Sequence, residues 1–228
     1  MTKAVSAKPP RFDLATRKGR RRAKRDLVWS DHGFLRARFS NFHWISPDMA
    51  RANQPSPKQV RRYAEMGFKT ILNLRGPSDT GYYLLEKEAC AKHGIALVDA
   101  RMHSREPPSK ERVLAAKEIF DSIEYPALMH CKSGADRAGI MAVLYCHFRL
   151  GQPIAEAMEQ LSLKYLHVKQ GKTGMLDYFF QCYLTETKQS GKSFLDWVQE
   201  DYDVQRVKAS FMSSWWANVL VDTILRRE

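Results

Sequence analysis

The chain has 228 residues, 44% hydrophobic and 27% charged, which allows one good-sized domain with a buried core and short appendages. Cys90, Cys131, Cys146 and Cys182 show no paired spacing, so neither a disulfide framework nor a zinc site is expected, and a reducing compartment is. The net charge of +12 is uneven, with ten Lys or Arg in residues 1–26 against Asp13 and Asp26, and no apolar run is long enough to span a bilayer.

Residues 1–28 read as a flexible basic arm. Such an arm suits electrostatic attachment to an anionic lipid surface. It lacks interleaved aromatics and any DNA-binding motif, so no specific nucleic acid is expected. The folded part begins near Trp29 with an aromatic-rich stretch and is expected to run over 29–190. "NQPSP" (53–57) is turn chemistry, followed by a helix with Ser56 as N-cap, Pro57 at its first position and Gly67 at its close. "FKTILNL" (68–74) predicts a buried strand, and "YYLLEKEACAKHG" a helix ending at Gly94. "IALVDARM" is a second strand, "HSREPP" a loop, and "SKERVLAAKEIFDSI" a helix capped by Ser109. "PALMH" (126–130) is a third strand, and "AGIMAVLYCHFRLG" (138–151) a buried helix. "PIAEAMEQLSLKYLH" and "GMLDYFFQCYLTETKQSG" supply two more helices.

The alternation over 57–150 predicts an α/β fold, a central mostly parallel sheet flanked by helices, with a helical C-terminal part at 191–228. In the tail, Ser214, Asn218, Asp222 and Arg226 form one polar stripe, while Trp215, Trp216, Val219, Leu220 and Ile224 fill the other faces. That pattern fits a helix docked on its own core, an interfacial helix or a partner-binding one.

The chemistry gathers in "HCKSGADRAG" (130–139), between a strand and a helix. A loop in that position points successive amides at one centre, and the helix N-terminus adds partial positive charge. Gly134 permits the tight curve, and the amides of Lys132, Ser133, Gly134, Ala135, Asp136 and Arg137 are the candidate phosphate cradle. Arg137 can clamp two phosphate oxygens. These surroundings favour the Cys131 thiolate, a nucleophile able to attack phosphorus in line and form a cysteinyl-phosphate with no metal or other cofactor.

His130-Cys131-Lys-Ser-Gly-Ala-Asp-Arg137 matches the H-C-x5-R signature of the cysteine-dependent protein tyrosine phosphatase superfamily. It resembles the dual-specificity branch most, and "PDMARANQPSPKQVRRYAEMGFKTILNLRG" (47–76) is similar to the entry of that fold in bacterial members. The resemblance covers roughly residues 40–185 and implies a dual-specificity phosphatase-like fold, Cys131 as nucleophile, Arg137 as clamp and His130 as a supporting residue. The family's general acid comes from an upstream loop, where this chain offers Asp99, His103 and Glu106. Asp136 is a further candidate, in a C-x4-D-R arrangement similar to phosphoinositide phosphatases of the myotubularin and Sac type. Ala138 replaces the usual hydroxyl residue after the arginine, which predicts a slower second step or a substitute donor such as Ser133.

Lys132 resembles the loop lysine of phosphoinositide 3-phosphatases and favours a multiply charged substrate. With the basic arm and the tail, it points to a phosphorylated lipid or glycolipid at a membrane surface. A phosphoprotein and a phosphate-binding adaptor without turnover are the alternatives. The expected location is cytoplasmic, with peripheral contact to the inner membrane face.

Overall fold

The computed structural model describes residues 11–36 and 39–225, with the side chains of the last helix described as far as Trp215. Five strands make one sheet: β1 (His43–Ser46), β2 (Met49–Asn53), β3 (Thr70–Asn73), β4 (Ala96–Asp99) and β5 (Ala127–Cys131). Their spatial order is β1-β2-β5-β3-β4, and every pairing is parallel except that of β1 with β2. This is the mostly parallel α/β sheet expected from sequence. It extends further towards the N-terminus than expected, because β1 and β2 arise from the aromatic-rich stretch and "MARAN".

Strand periodicity sorts the core. Ala50, Ala52, Ile71 and Leu128 point to one face, where α3 (Pro57–Glu65) and α4 (Gly81–His93) cover them with Val60, Tyr63, Ala89 and Cys90. Met49, Leu72, Met129 and Cys131 point to the other, against α5 (Lys110–Ser122) and α6 (Asp136–Leu150). Ile140 to Cys146 of α6 are buried all round, so this helix is central to the layer. The capping expectations are met. Ser56 accepts from the Gln59 amide and Gln59 answers with its side chain, while Ser109 accepts from the Arg112 amide.

Two features differ from the sequence reading. Residues 17–25, expected within a flexible arm, form α1 (Arg17–Arg25), which lies on α4. Gly19 and Ala23 make its buried face, and Phe12, Ala23 and Leu85 share a small apolar cluster. Arg20 holds Glu88 at 2.6 Å, and the Asp26 carboxylate accepts from the Gly81 amide at 2.8 Å. Lys3 and Lys8 of the arm lie outside the described residues.

The single helix expected from "PIAEAMEQLSLKYLH" is broken. It is reduced to α7 (Ile154–Ala157) and two three-residue 3-10 turns, with Ser162 extended and Leu166 left-handed. Tertiary demands override helix propensity here, since Gln160 and His167 must both reach inwards.

The C-terminal part packs into the main core. After α8 (Met175–Glu186), Phe194 and Trp197 of α9 (Phe194–Glu200), together with Tyr202 and Val207, are buried in the α6 cluster. The last helix, α10 (Val204–Leu225), lies on α8 through Phe211 and Tyr178, and Ser210 meets the Tyr178 hydroxyl at 2.7 Å. Ser214 and Trp215 are the last tail residues whose side chains are described. Trp216, Asn218, Val219, Leu220, Asp222, Ile224 and Arg226 of the expected pattern lie beyond them. Among the described residues no helix is long and apolar enough to cross a membrane.

Candidate active site

Cys131 ends β5, and α6 begins at Asp136, so the loop between them is only four residues long. A chain reversing direction that tightly needs a left-handed residue, and Gly134 supplies it with φ +76°. A Cβ there would lie 2.7 Å from the Ala52 carbonyl carbon, so side-chain absence matters as much as the dihedral.

Four successive carbonyls of the loop are drawn outwards. The Lys132 carbonyl accepts from the Gln54 amide at 3.4 Å, and that of Ser133 from Asn41 Nδ2 at 2.9 Å. The carbonyls of Gly134 and Ala135 both accept from the Arg51 guanidinium, at 2.9 and 2.8 Å. In a planar trans peptide the N–H points opposite to the C=O. The amides of residues 133–136 are therefore turned inwards, and that of Gly134 donates to Cys131 Sγ at 3.2 Å. The Ala135 amide meets Ser133 Oγ at 3.4 Å.

Arg51 is fully buried. Its guanidinium lies 4.2 Å from the Tyr165 ring centroid and donates to the Gln160 carbonyl at 2.8 Å. Burial pushes its pKa down to about 10, a value at which it stays charged near neutral pH. Gly139 makes room for it, since a Cβ there would stand 3.4 Å from Arg51 Nη2 and 2.7 Å from Leu161.

Arg137, in the first turn of α6, holds its Nε buried without a hydrogen-bond partner among the described residues. An arginine in the first turn of a helix that follows such a loop, with a donor left over, suits a tetrahedral oxyanion. His130 and Glu86 are both fully buried, 2.7 Å apart though off the line of a hydrogen bond. Gln54 Nε2 donates to the other oxygen of Glu86 at 2.7 Å.

The acid candidates are scattered. Asp136 accepts at Oδ1 from Nδ1 of the buried His167 at 2.8 Å, and Nε2 of that histidine reaches Asp177 at 2.7 Å. Burial pushes the His167 imidazole down, but the two carboxylates outweigh it and hold its pKa at about 9, so it is an imidazolium near neutral pH. Asp99 stands at the end of β4, two strands from β5, and accepts from Asn73 at 2.7 Å and the Tyr83 hydroxyl at 2.7 Å. Glu106 is exposed and receives Lys208 of α10 at 2.8 Å, a bond that holds its carboxyl below the usual range. Its loop is also anchored by Tyr202, whose hydroxyl donates to the Pro108 carbonyl at 2.7 Å. His103 is half-buried, and burial followed by the Arg112 charge lowers its pKa. Ala138 is fully buried.

Sequence reading missed Arg51, Asn41, Gln54, Glu86, His167 and Asp177. Only Arg51 carried a signal, a charged residue between two alanines in a run that alternates like a buried strand. Among the described residues no group of three or more His, Cys, Asp or Glu could hold a metal ion.

The family described as DSP-PTPase phosphatase fused to NAD+ kinase matches residues 45–175, which span the sheet from β1 and the whole loop. The chain belongs to that family and is a dual-specificity-type member of the cysteine-dependent protein tyrosine phosphatase superfamily, a class of phosphatases. No curated protein matches it. Among solved structures it resembles TpbA of P. aeruginosa at 17% identity over 75% of this chain and 90% of that one, with a TM-score of 0.52. A cysteine-to-serine form of TpbA in complex with phosphotyrosine matches with a TM-score of 0.51, at 17% identity over 75% and 89% of the two chains. The active form of Tk-PTP matches at 20% identity over 63% and 98%, with a TM-score of 0.50. At these identities the likeness is one of fold.

Proposed function

We propose that the chain hydrolyses phosphate monoesters through Cys131, and that its substrate is a phosphorylated lipid or glycolipid met at a membrane surface. The observation that carries the chemistry is the set of outward carbonyls, which leaves the loop amides turned inwards with that of Gly134 on Cys131 Sγ, together with Arg137 Nε, buried without a partner among the described residues. In this reading the amides of 132–137 and the Arg137 guanidinium hold the phosphoryl oxygens, and His130 supports the loop from beneath. Cys131 Sγ attacks phosphorus in line, the P–O bond to the leaving group breaks, and the leaving oxygen takes a proton. We assign that proton to the Asp136–His167 pair. Of the candidate carboxylates, Asp136 belongs to the loop and has a protonated partner, whereas Asp99 and Glu106 are engaged elsewhere. Water then cleaves the cysteinyl-phosphate to release phosphate. These steps use protein groups alone. With Ala138 after the arginine, the second step lacks the usual hydroxyl.

The membrane part of the proposal rests on what surrounds the loop. Trp29 is 65% exposed and Leu163 72% exposed, and Phe34, Phe39, Leu166 and Val168 are exposed too. Asn41 ties the segments bearing several of them to the loop, since its amide donates to the carbonyls of both Ser133 and Tyr165. Just before Trp29, α1 lines a cleft with Arg17, Lys18, Arg21, Arg22 and Arg25. A basic helix followed by exposed rings suits an anionic lipid surface. In this reading the protein works in the cytoplasm against the inner membrane face.

The test is hydrolysis of an aryl phosphate without added metal, then of phosphotyrosyl peptide, phosphoinositide vesicles and a phosphorylated glycolipid, with Cys131→Ser as control. Turnover lost in the variant and greatest on the lipid vesicles is expected. Turnover confined to the peptide would make the substrate a phosphoprotein, and binding without turnover would make the chain an adaptor.

A further inference from the structure

Next to the phosphate loop, three cations converge on one carboxylate. Arg75 donates to both oxygens of Asp31, at 2.9 and 2.7 Å. Arg36 donates to Oδ2 and also to the Asp31 carbonyl, each at 2.5 Å. Lys132, the residue after Cys131, places Nζ 3.9 Å from Oδ1. The arrangement is built rather than incidental. Arg75 stacks 3.5 Å from the Tyr82 ring centroid and also donates to Gln54 Oε1 at 2.9 Å. Gln54 in turn holds Glu86 through its amide nitrogen and the Lys132 carbonyl through its backbone. Asp31, Arg36 and Arg75 are all nearly inaccessible, while Lys132 opens to solvent at the rim.

One carboxylate leaves this cluster under-filled. Three cations converge on this one carboxylate, and a dianion in its place would offset two of their charges rather than one. A carboxylate has two oxygens, and both are already taken, yet Arg36 Nε is buried without a hydrogen-bond partner among the described residues. A phosphate has three free oxygens and can satisfy a guanidinium through two nitrogens at once.

We propose that Arg36, Arg75 and Lys132 form a second anion subsite beside the phosphate loop, filled by the chain's own Asp31 until a second phosphate of the substrate replaces it. The inference deepens the function proposed above and rests on it. It assigns the substrate to polyol phosphates carrying two phosphates, and it makes Asp31 an internal competitor. The shared chemistry is a vicinal bisphosphate, carried either by a soluble inositol or by a lipid headgroup.

The test uses the full chain in a Cys131→Ser background, so that binding is read without turnover. Calorimetry compares a vicinal inositol bisphosphate with its monophosphate, and a short-chain phosphatidylinositol bisphosphate with its monophosphate. Asp31→Asn is expected to raise the bisphosphate-over-monophosphate affinity ratio about tenfold, and Arg36→Gln to lower it by a similar factor. A change with both ligand types means that the subsite reads the phosphates alone. A change with the lipid only means that it reads them at a headgroup, and either result supports the proposal. Ratios that stay within about twofold of the parent in both variants overturn it and leave Asp31 a structural ion-pair partner. If Asp31→Asn fails to fold, the Arg36→Gln ratio decides alone. Aryl phosphate turnover by the chain with Cys131 intact is measured separately, so failure of the subsite is distinguishable from failure of the phosphatase reading.

Discussion

The Arg51 guanidinium donates to the Ala135 carbonyl at 2.8 Å, joining β2 to the last residue before α6. With its second bond, to Gly134, it turns two peptide planes so that the amides of Ala135 and Asp136 point away from the guanidinium, into the loop. The chemistry proposed for the loop therefore depends on a residue that need never touch the substrate.

Arg51→Lys keeps the charge but loses the fork that reaches two carbonyls at once. Both carbonyls are buried with the loop, and an unsatisfied buried acceptor costs about 1–3 kcal/mol. The expected result is a fall in kcat on aryl phosphates of about tenfold or more, in a protein that thermal unfolding shows to be folded. An unchanged kcat would make Arg51 a packing residue only.

Gly134→Ala adds a methyl 2.7 Å from the Ala52 carbonyl carbon, at a φ of +76°. The left-handed conformation alone costs roughly 1–2 kcal/mol for a residue with a Cβ, and the contact forces the loop off β2. Hydrolysis of aryl phosphates should be lost while thermal unfolding shows a protein that still folds at a lower midpoint. Retained activity would show that the loop tolerates a wider path.

If Asp136 protonates the leaving oxygen, its removal should matter most for poor leaving groups. Asp136→Asn is expected to slow phenyl phosphate far more than p-nitrophenyl phosphate, steepening the dependence on leaving-group pKa. Glu106→Gln and Asp99→Asn should leave that slope as it is in the parent. A steeper slope in either of those two, with none in Asp136→Asn, moves the acid role to the upstream loop or to β4.

His167 gives a pH-dependent stability with a definite sign. Its folded pKa, about 9, lies above the value of about 6.5 expected in an unfolded chain. The group binds its proton more tightly when folded, so the contribution is complete below about pH 6.5 and disappears as pH rises through about 9. A shift of this size corresponds to at most about 3 kcal/mol. Urea unfolding at both ends of that window should show the parent losing more stability than His167→Gln does. Equal losses in the two proteins would mean that the imidazolium is not what binds α6 to α8.

Much of the fold was legible because it is specified locally. Ser56 with Gln59, Ser109 with Arg112, and Gly94 and Gly151 closing their helices act within one turn of chain, so spacing alone announces them. The strand, turn and helix around Cys131 were equally legible, since a short apolar strand, a left-handed glycine and a helix start fall within residues 127–139.

What only the tertiary structure decided are the long-range polar pairs. Arg51 reaches the loop from β2, His167 reaches Asp136 across a broken helix, and Asp31 meets Arg75 from the aromatic-rich stretch where the sequence places the start of the folded part. Nothing periodic links such positions. A buried charge is stabilised by whichever partner the packed sheet and helices bring within reach, and that proximity exists only once the chain has folded. The basic segment shows the same limit. Its charges suggest a solvated arm, and Gly19, Ala23 and Phe12 become a docking face only when α4 presents Leu85 and Gly81 to receive it. Composition and spacing thus determined strands β3, β4 and β5, the helices between them and the tight turn after β5, because those follow from local sterics and hydrophobic period. The orientation of the loop amides, and the cations standing beside them, came from contacts made across the fold.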